Sequence, residues 1–172
     1  MKKLSDYLGE QLTISRISAF KREFEFRSQN EVIAKMYFPK FFSLSAIVEG
    51  FDEKLEIKVT SFWRSDLGIY QFGYEMPFAK YTSTGFWRTK GAIELPKGEK
   101  LNLKFGAFKR SCEILSSSEE LLVLFQNKLS LKEKNVITIQ QRSEVIDKYP
   151  WVIMVAWYKI LQRNRKNSAA AG

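Results

Sequence analysis

Between Tyr149 and Gln162 the chain reads Tyr-Pro-Trp-Val-Ile-Met-Val-Ala-Trp-Tyr-Lys-Ile-Leu-Gln. From Trp151 to Tyr158 no side chain is charged, so a helix over this stretch has no face left for solvent. A helix that is apolar all round is buried, in a large core or in a membrane. A spanning helix needs about 20 apolar residues, and Lys159 interrupts this run well before that. The expectation is therefore a core helix over Pro150–Gln162 and no transmembrane segment. Pro150 suits a first helical position, where its missing N–H is no loss. Arg163, Arg165 and Lys166 stand where cations oppose the negative end of the helix dipole. Residues 167–172 have nothing to pack and are expected to form a disordered tail, leaving 1–166 as a single domain.

The rest of the chain has the other periodicity. Phe24 and Phe26 alternate with charged neighbours as in a half-buried strand, and Ser28-Gln29-Asn30 supplies a turn before Glu31–Phe38. The same unit then recurs. Phe41-Phe42-Ser43 leads to a strand near Leu44–Glu49, a turn and Leu55–Val59. Phe62-Trp63-Arg64 leads to Leu67–Gly73 and Met76–Thr82. Phe86-Trp87-Arg88 leads to Lys90–Leu95 and Leu101–Phe105, and Phe108-Lys109-Arg110 to Cys112–Leu115 and Leu121–Gln126. A last, weaker pair runs through Leu129–Leu131 and Val136–Gln140. Residues 1–19 are mixed and read as a short amphipathic helix or an edge segment.

Corners at Phe41, Phe62, Phe86 and Phe108 lie 21, 24 and 22 residues apart, room for two short strands and two turns each. Internal periodicity of this kind marks a repeated supersecondary unit, here a β-hairpin. The count is eleven or twelve antiparallel strands. A closed sheet of about eight strands fills itself with side chains, and a wider one leaves a hole. The all-apolar helix, about 22 Å long over fifteen residues, has the size to plug it. The expected fold is mainly β: a closed antiparallel barrel of about twelve strands around a buried C-terminal helix.

These features resemble the tubby C-terminal domain-like fold, which includes the LURP-one-related and phospholipid scramblase-like families. The residues that carry the resemblance are the corners Phe62-Trp63-Arg64, Phe86-Trp87-Arg88 and Phe108-Lys109-Arg110, with the helix Pro150–Gln162. More narrowly, the chain is similar to small uncharacterised bacterial proteins of this type. The resemblance implies the barrel and a role at membranes, since tubby domains bind phosphoinositides through basic side chains. It carries no individual lipid-binding residue onto this sequence, and no acidic calcium-binding cluster is recognisable.

If each repeat is one hairpin, equivalent corners lie at the same end of the barrel. Arg64, Arg88, Lys109 and Arg110 then share a rim, with Lys40 and Lys90 close by, while Asp52, Glu53, Glu75, Glu99 and Glu119 mark turns at the other end. With a formal net charge of +9, the basic rim is a candidate site for anionic headgroups, with Trp63 and Trp87 at a lipid interface. The plainer alternative, favoured on sequence alone, has the charges capping strand ends and the tryptophans in the core.

Catalytic chemistry finds little support. The chain has no histidine and a single cysteine, Cys112, which removes Ser–His–Asp and Cys–His nucleophiles and thiolate or imidazole zinc sites. Neither catalytic residues nor a metal or cofactor site is expected, and Cys112 reads as a packing residue. The preferred function is a non-enzymatic binding or adaptor domain that meets acidic membrane lipids. Alternatives are a protein-partner role, nucleic-acid binding motivated by charge, and least of all an enzyme using Asp, Glu, Lys or Tyr at the barrel mouth. The N-terminus lacks the apolar run of a secretory signal; the expected location is the cytoplasm, with peripheral contact at the inner membrane.

Overall fold

The computed structural model describes residues 2–85, 87–106, 111–127 and 133–171. A short 3₁₀ helix, Leu4–Tyr7, precedes β1 (Gln11–Arg16), β2 (Glu23–Arg27), β3 (Val32–Tyr37), β4 (Ala46–Gly50), β5 (Glu53–Ser61) and β6 (Asp66–Gln71). There follow β7 (Ala79–Thr84), β8 (Lys90–Glu94), β9 (Lys100–Phe105), β10 (Cys112–Leu115), β11 (Leu121–Asn127) and β12 (Lys134–Ile139). Two helices end the chain, α1 (Glu144–Lys148) and α2 (Val152–Ala171). Each strand pairs antiparallel with its neighbours in sequence, and β1 pairs with β12 to close the barrel. Closure removes both sheet edges, so no row of strand N–H and C=O groups is left for another chain.

The closing strand is where the structure departs from the sequence expectation. Residues 11–16, read as a helix or an edge segment, are β1, registered Leu12 to Ile137 and Ile14 to Phe26. Its alternation is short but complete: Leu12 and Ile14 are fully buried, while Thr13 and Ser15 face outward between them. Of the weak pair expected at the end of the meander, the second member is β12, Lys134–Ile139, and Leu129–Leu131 lies outside the described residues. The N-terminus supplies the twelfth strand.

The lumen is filled by α2. Every residue from Tyr149 to Leu161 is buried, and Trp151 and Trp157 are among the largest fully buried side chains. Trp151 meets Phe78 edge to face at 5.4 Å, and Trp157 meets Phe24 at 5.6 Å. Helix and wall therefore form one core, in which each aromatic contact adds about 0.5–1.5 kcal/mol beyond burial. Tyr81 packs so tightly that a Cβ on Gly91 would lie 2.1 Å from its Oη; the absent side chain makes room for the ring. The helix also runs beyond the expected end at Gln162, through the segment expected to be a disordered tail, as far as Ala171. The Ser-Ala-Ala-Ala sequence there has high helix propensity and continues a helix already nucleated. Among the described residues no helix is long and apolar enough to cross a membrane.

Candidate functional site at the corner rim

An antiparallel meander sends every second loop to the same end. Loops 17–22, 38–45, 62–65 and 85–89 therefore share one rim, and α2 delivers its C-terminal turns to the same end. The aromatics of these loops extend beyond the plug. Phe20 is 92% exposed, Phe42 87%, Trp63 82% and Trp87 78%, with Phe41 and Phe62 also exposed. Local geometry sets the tips: Ser18 Oγ accepts from the N–H groups of Phe20 and Lys21. Ser65 and Arg88 take left-handed backbone conformations, φ 60° and 52°. Phe41 packs edge-on to Phe42 at 5.1 Å and Phe62 to Trp63 at 6.2 Å. The alternative that buries Trp63 and Trp87 in the core is thereby corrected. The lumen is already filled by α2, whose buried residues leave no room there for these rings.

Lys40, Arg64, Arg88 and Lys90 all lie at this end and are exposed, whereas Lys109 and Arg110 fall outside the described residues. The rim does not gather them all at one point. Arg88 donates to Ser65 Oγ at 3.1 Å and to the Trp63 carbonyl, tying two neighbouring corners together. Lys90 pairs across the wall with Lys104 in strand register.

The strongest concentration of charge was hidden from the sequence reading. Lys159, the charged residue within the buried part of α2, is 3% exposed. Its Nζ donates to the Ser65 carbonyl at 2.8 Å and to Gln162 Oε1 at 2.6 Å, and it sits 4.7 Å from the centre of the Tyr81 ring. Lys166 Nζ donates to Ser65 Oγ, and Arg163 donates to the Arg88 carbonyl at 2.7 Å. Burial, reinforced by Lys166, Arg163 and Arg88 and opposed by Asp66, lowers the Lys159 ammonium to a pKa of about 7. Burial and then Arg88 also lower Lys166.

Across the mouth, Arg22 is 8% exposed. It belongs to Phe20-Lys21-Arg22, which has the same aromatic–basic order as Phe108-Lys109-Arg110. Its Nη1 donates to the carbonyls of Phe41 (3.2 Å) and Ser43 (3.3 Å), and its guanidinium lies 3.5 Å from the Phe38 ring centre. Burial and then Arg165 lower its pKa to about 10. Among the described residues, Arg22, Lys40, Arg64, Arg88, Lys159, Arg163, Arg165 and Lys166 form no ion pair. Three of them, Arg22, Arg165 and Lys166, line a cavity of 230 Å³ that opens along the flank of α2.

The opposite end is closed over the core by the N-terminal 3₁₀ helix, beside which lies a surface groove of 620 Å³ lined by Lys2, Tyr7, Glu31 and Lys54 among others. Tyr7 Oη donates to Glu31 at 2.6 Å, Ser5 N–H to Asp147 at 2.7 Å, and Lys148 pairs with Glu99 at 3.2 Å. Cys112 is fully buried in the lumen, and burial pushes its thiol well up. It is a packing group with little thiolate character.

Fold and rim together define a closed, helix-plugged antiparallel barrel, cationic at one end. Among solved structures, the chain is similar to the X-ray structure of an Arabidopsis thaliana protein, AT5G01750. The TM-score is 0.60 at 11% identity, over 90% of this chain and 93% of that one. At that identity the likeness is one of fold. No family model matches the chain, and no curated protein matches it.

Proposed function

We propose that this protein is a non-enzymatic binding module, a small relative of the tubby-like and LURP-one-related barrels, that docks its corner rim on an anionic membrane surface. The observation that carries the reading is the rim itself: aromatic tips on four loops, interleaved with cations that take no carboxylate partner. Aromatic rings prefer the membrane–water interface. Each Lys or Arg held near an anionic surface contributes about 1 kcal/mol within a Debye length. Arg88 and Lys166, the exposed cations that share Ser65, supply donors for a headgroup phosphate. Docking of this kind places the protein at the inner face of the cytoplasmic membrane.

Single-stranded nucleic acid also favours aromatics beside basic groups, but it needs a groove that tracks a backbone, and these rings stand on separate convex tips. The test is co-sedimentation with vesicles of phosphatidylglycerol in phosphatidylcholine, and with phosphatidylcholine alone, over a salt series. An oligonucleotide titration runs in parallel. Binding is expected only to the anionic vesicles, weakening with salt, and is expected to be lost in Lys40→Glu/Arg64→Glu. Unchanged vesicle binding in that variant, or tighter binding to the oligonucleotide than to the vesicles, overturns the proposal.

A further inference from the structure

The cavity at the mouth combines two features that rarely occur together. Its walls are apolar: Phe38, Leu44, Val59, Phe62 and Leu161 line it, with Tyr158. Tyr158 stacks on Phe38 at 5.8 Å and donates its hydroxyl to the Leu44 carbonyl, which holds that wall in place. Leu44 and Phe62 are 49% and 70% exposed, so the apolar surface continues outward from the cavity to the rim. Yet Arg22, Arg165 and Lys166 also line it.

Arg22 is the informative member. A guanidinium this deeply buried is normally matched by a carboxylate, because an unpaired buried charge is costly. Here two backbone carbonyls engage Nη1, the Phe38 ring covers one face, and Nε and Nη2 meet no acceptor among the described residues. Glu133, which attracts Arg22 from farther off, is itself paired with Arg16 at 3.8 Å. Arg165, 5.9 Å from the centre of the same Phe38 ring, adds repulsion instead of relief. An anion seated between Arg22 and Arg165 satisfies the open donors and removes that repulsion. Arginine presents its donors as a planar fork that matches a carboxylate or a phosphate.

We infer that the mouth cavity binds one anionic amphiphile, a single acyl chain whose carboxylate or phosphate lies on Arg22, Arg165 and Lys166 and whose chain lies along Phe38, Val59 and Leu161. The cationic end fixes the head, and the apolar walls admit only a chain. This ligand site deepens the rim reading and rests on it for the route of entry, since the cavity opens where the membrane surface is proposed to lie. Its source is a free fatty acid or one chain of a membrane phospholipid.

The experiment uses the delipidated full chain without vesicles, with displacement of a fluorescent fatty acid by oleate, by oleoyl lysophosphatidate, and by the uncharged oleyl alcohol. The expected result is one-to-one displacement by both anions and at least tenfold weaker displacement by the alcohol. Val59→Trp, which fills the cavity, and Arg165→Glu, on the exposed flank of α2, are each expected to weaken oleate by tenfold or more. Should Val59→Trp fail to fold, Arg165→Glu decides. Equal affinity for the alcohol, undiminished oleate affinity in a folded variant, or no binding by either anion overturns the inference. Vesicle co-sedimentation of the same preparations separates this outcome from failure of rim docking. Displacement by the lysophosphatidate alone assigns the site to a phospholipid source, and displacement by both includes free fatty acids.

Discussion

The two ends of this barrel are built from the same strands and have opposite surfaces. At the closed end the turns are acidic and several of their charges are matched: Lys54 with Glu49 at 2.8 Å, Lys148 with Glu99 at 3.2 Å, Lys100 with Glu94 at 3.7 Å. Leu4 and Tyr7 are buried there beneath the N-terminal 3₁₀ helix. At the corner rim Arg16 pairs with Glu133, but among the described residues Arg22, Arg64, Arg88, Lys159, Arg163, Arg165 and Lys166 form no ion pair, and the aromatics face solvent. Exposed apolar groups at the closed end are Leu8, Val32 and, on one loop, Phe72, Tyr74 and Met76, and Lys54 already covers Phe72 at 4.3 Å. Folding stability accounts for the ion pairs at the closed end. It gives no reason to crowd Arg88, Lys159, Arg163 and Lys166 together, which costs stability through mutual repulsion. An end that sacrifices stability in this way is the end to search for a ligand.

The largest effects belong to the plug that the ends share. Trp151→Ala, toward the closed end, and Trp157→Ala, toward the mouth, are each expected to cost about 3–5 kcal/mol, seen as a lower midpoint of one denaturant transition. Two separate transitions would break the picture of a single core running from end to end.

A smaller effect distinguishes the mouth. With its pKa near 7 in the fold and about 10.4 when unfolded, Lys159 binds fewer protons folded than unfolded between these values. Unfolding free energy therefore rises with pH across that window, by at most about 1.4 kcal/mol per unit. Chemical denaturation from pH 7.5 to 9 is expected to show the rise, and Lys159→Met to flatten it. A slope unaltered by Lys159→Met would show that the buried ammonium is not the source.

Surface aromatics sharpen the comparison directly. Phe42→Ser/Trp63→Ser is expected to weaken anionic-vesicle binding by about tenfold, or 1.4 kcal/mol, with an unchanged melting temperature. Tyr74→Ser/Met76→Ser at the closed end is expected to leave binding as it is. Equal losses from both pairs would mean that the ends do not differ toward membranes. The smallest effect is expected at the exposed Lys148–Glu99 pair. Such bridges contribute little, and Lys148→Ala should leave both melting temperature and vesicle binding within error.

Much of this fold is legible in the residues because two periodicities carry it. Strands alternate and the plug does not, so the hairpin count and the buried helix follow from local patterning. β1 escaped because only Leu12 and Ile14 mark its inner face, too few to separate a strand from a short helix. The site was legible in part. The repeated corners place Arg64 and Arg88 on one rim, but Arg22 precedes the first of those corners and Lys159 reads as an interruption of the plug. Neither residue has a sequence neighbour that explains its charge. Arg22 is defined by carbonyls of Phe41 and Ser43, some twenty residues away, and Lys159 by Ser65, far off in the chain.

By itself the sequence determined the hairpin repeat, the all-round apolar helix and the sorting of basic corners from acidic turns. These are properties of residues and their near neighbours, where periodicity and turn chemistry act. Only the tertiary structure decided that β1 closes the barrel, that Trp63 and Trp87 stand in solvent, and that Arg22 and Lys159 are buried at the mouth without carboxylates. Burial and charge pairing depend on which distant segments the closed sheet brings together, and no stretch of chain holds that information alone.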